Sequence, residues 1–238
     1  MIMNDIHMHV IPGVDDGSWN QEMSMMMVYM AYKQGIRKII ATPHSFAFDE
    51  DRDLVKENYL SLGDEIQKFY PEMKVYLGCE IYCGKYDMKQ ILKFLKEGVY
   101  PSLNGTKYVL VEFHSLTEIE EIVFCTLQLL ENGWIPVIAH VERYKNLSLE
   151  NIARLKASGC MLQINAYSVD DETDWNIKVK ARDLMAQKLV DFLGTDAHRT
   201  IHRPPSAEQG LKYLYHHFEK EYVDDITYRN AEKYLLAK

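Results

Sequence analysis

The chain lacks most of what would tie it to a membrane or to nucleic acid. Its 238 residues contain no run of 18 uncharged apolar residues, so a membrane span is not expected. Basic residues are in deficit, 27 against 35 acidic, which leaves a net charge of −8 and a pI near 5.6. A nucleic-acid-binding surface would carry a basic stripe, and none is visible. The opening MIMNDIHMHV has neither the basic start nor the apolar stretch of a secretory leader, and a cytoplasmic location is expected. Cysteine is scarce. Cys79, Cys83, Cys125 and Cys160 are scattered like reduced thiols, not like a disulfide framework. The Cys79–Cys83 spacing suits zinc, but no second pair completes it. A thiol-based tyrosine phosphatase needs arginine six positions after its cysteine; those positions hold Lys85, Lys89, Glu131 and Ala166. Any phosphate chemistry here must proceed without a cysteine nucleophile.

Linkers are missing as well. No Pro/Gly/Ser-rich stretch, repeat or low-complexity block divides the chain, and 47% hydrophobic residues suffice for one sizeable core. A single domain over residues 1–238 is expected.

What is present is an alternation of short β-rich runs and longer helical patterns. The β-like runs are Asn4–His9, Arg37–Thr42, Val75–Gly78, Tyr108–Glu112, Ile135–Ala139, Met161–Asn165 and Val190–Gly194. Helical stretches such as QEMSMMMVYMAYKQG, EEIVFCTLQLLENG and LENIARLKASG end at Gly35, Gly133 and Gly159, a common helix stop. The methionines of the first are read as packing residues. The acidic Glu118, Glu120 and Glu121 are read as a helix start, where carboxylates favour the positive dipole end.

Repeated strand–helix units imply parallel strands joined by right-handed crossovers. Seven could close into a distorted (β/α)7 TIM-like barrel or spread as an open sheet. The polar residues favour the barrel. His7 and His9 lie at the first strand, His44 follows the second, Glu80 the third, Glu112 ends the fourth, His140 follows the fifth, and Asp196 and His198 follow the seventh. A barrel gathers all those strand ends on one rim, where such folds keep their active sites. Side chains alternate along a strand, so His7 and His9 should stand side by side, as chelating imidazoles must.

With Asp16, these residues form a set of five histidines and four carboxylates suited to manganese, iron or zinc. Each alone would be an ordinary hydrogen-bonded residue. Their shared placement at successive strand ends points to a site for two or three divalent ions.

The stretches DIHMHVIPGVDDG, TPH, GCE, VEF, AHVERY and GTDAHRTIHRPP resemble, in order, the polymerase and histidinol phosphatase (PHP) superfamily. Within it the chain closely resembles the bacterial manganese-dependent protein-tyrosine phosphatases of capsule and exopolysaccharide loci, the CpsB/YwqE family. The resemblance implies the PHP fold and a three-metal centre. His7, His9 and Asp196 would bind the first ion, Glu80 would bridge it to a second completed by Glu112 and His140, and Asp16, His44 and His198 would hold a third. It implies Asp16 and not Asp15 as the ligand, leaving Asp15 to brace the turn or orient a ligand. Arg143 and Arg203, three and five residues beyond ligands, would hold phosphate oxygens through guanidinium forks. Manganese is implied, with iron and zinc chemically compatible.

The reaction inferred is phosphomonoester hydrolysis by metal-bound hydroxide. The implied substrate is a tyrosine-phosphorylated protein, the kinase or chain-length regulator of polysaccharide export. Phenolate leaves readily, tyrosine having a pKa of about 10, and no general acid is evident. Met8 stands where relatives often carry Cys and His114 where Pro is more usual; both are read as structural. Tyr167 could line the substrate mouth, Arg199 is left without a role, and His202, His216 and His217 look like surface residues. The alternatives are a small-molecule phosphatase of the histidinol-phosphate type and a non-catalytic phosphotyrosine-binding regulator. A superfamily exonuclease is disfavoured by the acidic charge. An amidohydrolase would place a bridging lysine where Glu80 stands.

Overall fold

Asn20, Ser148 and Asp174 start helices by accepting hydrogen bonds from backbone amides of the first turn, and the chain between helices supplies short parallel strands. A computed structural model describes residues 1–84 and 87–237. Its strands are β1 (Met3–Met8), β2 (Ile36–Ala41), β3 (Lys74–Leu77), β4 (Glu80–Tyr82), β5 (Tyr108–Glu112), β6 (Ile135–Ile138), β7 (Met161–Asn165) and β8 (Phe192–Gly194). Between and after them run α1 (Gln21–Lys33), α2 (Ser45–Phe69), α3 (Met88–Glu97), α4 (Ile119–Glu131), α5 (Leu149–Ala157), α6 (Trp175–Ala186), α7 (Glu208–His217) and α8 (Lys220–Asp224). Helices α1, α4 and α5 stop just before Gly35, Gly133 and Gly159, and α4 begins at the acidic cluster as its composition implies.

The chain is α/β and every strand pairing is parallel. The strand count differs from the seven runs legible in the sequence. Eight strands form two sheets, β1-β2-β3 and β4-β5-β6-β7-β8. The extra one is β4: the chain breaks at Gly78-Cys79, so Glu80 opens a new three-residue strand instead of trailing β3. The sheets meet at both edges. Asp196 N donates to His7 O at 2.8 Å and His9 N to Ala197 O at 2.9 Å, while Glu80 N donates to Pro43 O at 3.0 Å.

Between Asp5, which pairs with Ile39, and Met8, which pairs with Ala41, β1 carries one extra residue, and a shift of the opposite sense lies between Met3 and Asn4. Such a bulge resets the alternation of faces. Ile6 thereby joins an apolar cluster with Ile40, Leu110, Val137, Phe192 and the C-terminal Leu235, while His7 is freed to face the candidate site. The C-terminal turns are pinned there as well, Glu232 accepting from Asn4 and Lys38 at 2.7 Å each. Leu235 is fully buried, and truncating it to alanine would cost about 2–5 kcal/mol. This packing occupies the end of the strands away from His9, His44 and Asp196.

Candidate metal centre

The nine residues singled out from the sequence lie together. β1 and the residue after it deliver His7 and His9; the turn that follows delivers Asp16; His44 caps the start of α2. β4 opens with Glu80 and β5 closes with Glu112, while His140, Asp196 and His198 follow β6 and β8. Four overlapping groups bring their donor atoms within 4.8 Å of one another: His9, Asp16, His44 and His198; His7, Glu80 and His140; His7, His9 and Asp196; and His44, Glu80 and Glu112. Six of the nine are almost wholly buried, and Asp16, His44 and Glu112 form the open side.

Glu80 is the hub. Its Oε1 lies 3.1 Å from His7 Nε2 and 3.0 Å from His140 Nε2; its Oε2 lies 3.1 Å from His9 Nε2 and 3.2 Å from His44 Nδ1. One carboxylate whose two oxygens serve separate imidazole sets has the arrangement of a bridging ligand. Asp16 Oδ1 sits 3.4 Å from both His44 and His198 Nε2. Glu112 faces His44 at 3.1 Å and His140 at 3.8 Å, so it lies between two of the groups.

A surrounding layer sets which ring nitrogen His7 and His9 present. His9 Nδ1 is 2.8 Å from Asp15 Oδ2, and His7 Nδ1 is 3.2 Å from Gln163 Oε1, so in each ring Nε2 is left to the cluster. Gln163 also accepts from His140 N at 2.8 Å and is itself held by Asn165. Gln163 and Asn165 were not picked out from the sequence. Their signal was there: in MLQIN two amides alternate with Leu162 and Ile164 inside a buried strand. Two glycines let the backbone close up. A Cβ on Gly194 would stand 2.6 Å from His7 Cβ, and one on Gly17 would stand 2.4 Å from His9 O. Three non-glycine residues, His140, Asp196 and Arg203, have φ of 33°, 52° and 57°. Such conformations cost on the order of 1–3 kcal/mol each and collect at functional sites.

The electrostatics call for positive charge. Burial alone would push the His9 pKa down, yet Asp15 and Glu80 carry it up to about 9. His44 is likewise driven up to about 11 against burial, by Asp16 and Glu112. Burial opposes ionisation of Glu80, but His7 and His140 hold its carboxyl well below the usual range. Asp196 is held low against burial by His7, His140 and Arg203. Two further observations fit divalent cations. The Nε2 atoms of His7 and His9 are 3.3 Å apart, and the buried Asp196 Oδ1, facing both, has no hydrogen-bond partner. Nitrogen lone pairs beside an unpaired carboxylate oxygen are what a divalent ion satisfies.

Arg143 and Arg203 converge on the other oxygen of Asp196. Arg143 Nη1 donates to Oδ2 at 3.0 Å, Arg203 Nη2 donates to the same atom, and Asn165 Nδ2 joins them at 3.2 Å. Their side chains stay 38% and 40% exposed, so a substrate oxyanion can reach them. Tyr167 accepts from Asn165 at 3.3 Å and is half-buried beside this pair. Arg199 lies over the exposed Trp19 ring at 4.3 Å and donates to Asp16 O at 3.1 Å, bracing the Asp16 turn. His114, His202, His216 and His217 are exposed and outside the cluster.

The pattern of the capsular polysaccharide synthesis family CpsB/CapC matches residues 3–236. The chain belongs to that family. It is similar to the tyrosine-protein phosphatase CpsB of Streptococcus agalactiae serotype III (strain NEM316), with 32% identity over 242 residues and 98% of each chain covered. It is also similar to a chain from the crystal structures of YwqE from Bacillus subtilis and CpsB from Streptococcus pneumoniae, metal-dependent tyrosine phosphatases. The TM-score there is 0.88 and the identity 30%, over 99% of this chain and 95% of that one. An amidohydrolase from Mycoplasma synoviae shares the fold, with a TM-score of 0.66 at 15% identity over 98% of this chain and 87% of that one.

Proposed function

We propose that this chain is a metal-dependent protein-tyrosine phosphatase of capsular or exopolysaccharide synthesis, hydrolysing the phosphate monoester of phosphotyrosine. The observation that carries the reading is the division of Asp196: Oδ1 faces His7 and His9, and Oδ2 is clasped by Arg143 and Arg203. One buried carboxylate thus joins a cation-binding cluster to two guanidiniums that suit a phosphoryl group. Members of the family called tyrosine-protein phosphatases, similar over nearly the whole chain, support it.

Two or three divalent ions, manganese foremost, are held by His7, His9, Asp16, His44, Glu80, Glu112, His140, Asp196 and His198. Clustered divalent ions lower the pKa of water and neutralise phosphoryl charge. Arg143 and Arg203 orient the phosphoryl oxygens and meet the charge that develops on them. Asp15 and Gln163 fix the tautomers of His9 and His7. We read the eight strands as seven staves of a distorted barrel, with β3 and β4 one stave interrupted at Gly78-Cys79, and residues 1–238 as a single domain. The substrate is the phosphorylated tail of a bacterial tyrosine kinase or chain-length regulator, met on the cytoplasmic side of the membrane.

The test is phosphate release from a phosphotyrosine peptide, with and without chelator, followed by manganese. Release that chelator stops and manganese restores is expected. Tight binding of the peptide with no release under any metal would overturn the phosphatase in favour of a phosphotyrosine-binding regulator.

A further inference from the structure

A cavity of about 620 Å³ borders Arg143, lined by Glu142, Arg143, Tyr144, Lys145, Asp174 and Lys180 among others. Arg143 is therefore a shared wall: its Nη1 reaches Asp196 in the cluster while its residue borders this second space.

The charges in the cavity are unbalanced in a way that invites an anion. Its two carboxylates are partly engaged. Glu142 is buried and its Oε1 accepts from Ser168 Oγ at 2.6 Å and Asn165 N at 2.9 Å, while its Oε2 has no hydrogen-bond partner. Asp174 caps α6, accepting from Asn176 N at 3.0 Å and Ile177 N at 3.4 Å, so its charge answers the helix dipole. The cations are not engaged to the same degree. Lys180 donates to the carbonyl of Tyr144, and neither Lys145 nor Lys180 makes an ion pair among the described residues. Burial pulls the Lys180 ammonium down to about 8, with the Glu142 charge opposing the shift.

A second cavity bordering the cluster has the reverse sign among its described residues. This cavity of about 420 Å³, reached past His44 and Glu112, is lined by Asp49 and Asp87 with no lysine or arginine among its described residues. In a chain of net charge −8, a pocket lined by the three cations Arg143, Lys145 and Lys180 against the two carboxylates Glu142 and Asp174 is a local departure from the overall charge.

We propose that the cavity bounded by Arg143, Lys145 and Lys180 is a subsite for an anionic side chain, carboxylate or second phosphate, that flanks the phosphotyrosine of a peptide substrate. The proposal rests on the phosphatase reading. It makes the enzyme selective for tyrosines in acidic or multiply phosphorylated segments, with charge complementarity doing the sorting.

The experiment compares kcat/KM of the manganese-loaded protein on phosphotyrosine peptides that differ in one flanking position on either side, glutamate against glutamine. Free phosphotyrosine is run alongside. One glutamate peptide should exceed its glutamine partner by about three- to ten-fold, the range that one or two partly exposed charge pairs supply. The ratio should fall towards one in Lys145→Ala/Lys180→Ala and invert in Lys145→Glu. Because Lys180 also holds the Tyr144 carbonyl, the Lys145→Glu variant alone suffices if the double variant misfolds. Substituting phosphotyrosine for the glutamate separates the two anion sources, since the better one gives the larger ratio. Turnover of free phosphotyrosine with ratios of one on both flanks, or a preference that survives Lys145→Glu unchanged, overturns the subsite and leaves the phosphatase standing. No turnover of any phosphotyrosine substrate overturns both.

Discussion

Asp15 Oδ2 lies 2.8 Å from Nδ1 of His9, and this contact decides which nitrogen His9 turns to the cluster. The same carboxylate accepts from Gly17 N at 2.9 Å and His44 N at 3.1 Å, so one side chain ties the Asp15-Asp16-Gly17 turn to two candidate ligands. Carboxylates that orient metal-binding histidines in this way are worth about 10–100-fold in metal affinity when removed. Asp15→Asn should weaken manganese binding by that factor, measured by competition with a chelating dye. Unaltered affinity would show that the turn, and not the hydrogen bond, positions His9.

His7 and His9 together offer two ring nitrogens 3.3 Å apart to the same pair of carboxylates, Glu80 and Asp196. Replacing both by alanine should leave the protein without bound manganese and without phosphate release. The check is metal content by atomic emission beside turnover; near-normal turnover at full metal content would sink the ligand assignment.

Arg203 reaches Asp196 and His198 from outside the cluster, so its removal tests binding of substrate separately from binding of metal. Arg203→Ala should lower kcat/KM on phosphotyrosine by on the order of 10²-fold, the scale of losing one donor to a developing oxyanion, while metal content stays. Loss of metal in that variant would make Arg203 a structural partner of Asp196.

The four thiols give a negative prediction. Cys79, Cys83, Cys125 and Cys160 are buried, and burial pushes all four up, Cys125 to about 12. Thiolate is the reactive form. Iodoacetamide at neutral pH should leave phosphate release unchanged over a period that inactivates a cysteine-dependent phosphatase.

Much of this arrangement was legible beforehand because the informative residues fall at strand ends, where period and punctuation are easiest to read. The alternation of strand and helix patterns is enough for a parallel α/β architecture, and His44, Glu112 and His140 sit where their strands stop. β4 was not legible: three residues are too few for a period of two to show, and the break at Gly78-Cys79 reads as an ordinary strand end. The bulge in β1 was equally hidden, since register depends on the partner strand. The family resemblance, together with their spacing from the ligands, implied a phosphate role for Arg143 and Arg203. It could not show that both rest on Asp196, because that contact needs the fold to bring residues 143, 196 and 203 together.

Lys180 supplies a test by pH that is independent of side-chain deletion. Its ammonium faces Glu142, whose charge favours it, together with Arg143, Lys145, Tyr144 and the helix-capping Asp174. Burial is the larger influence and brings its pKa from 10.5 to about 8. The folded protein therefore binds fewer protons than the unfolded chain between about pH 8 and 10.5, and this group adds stability as pH rises across that window. The consequence for substrate choice runs the other way. Below pH 8 the cavity holds the Lys180 cation, and above it that charge is lost, so preference for the acid-flanked peptide should shrink as pH climbs from 7 to 9. Taking the ratio of kcat/KM for the glutamate and glutamine peptides at each pH cancels the titration of the metal centre common to both. In Lys180→Arg, whose guanidinium keeps its proton throughout, the ratio should stay flat. A decline of equal size in wild type and Lys180→Arg would assign the effect to another group and remove Lys180 from the subsite.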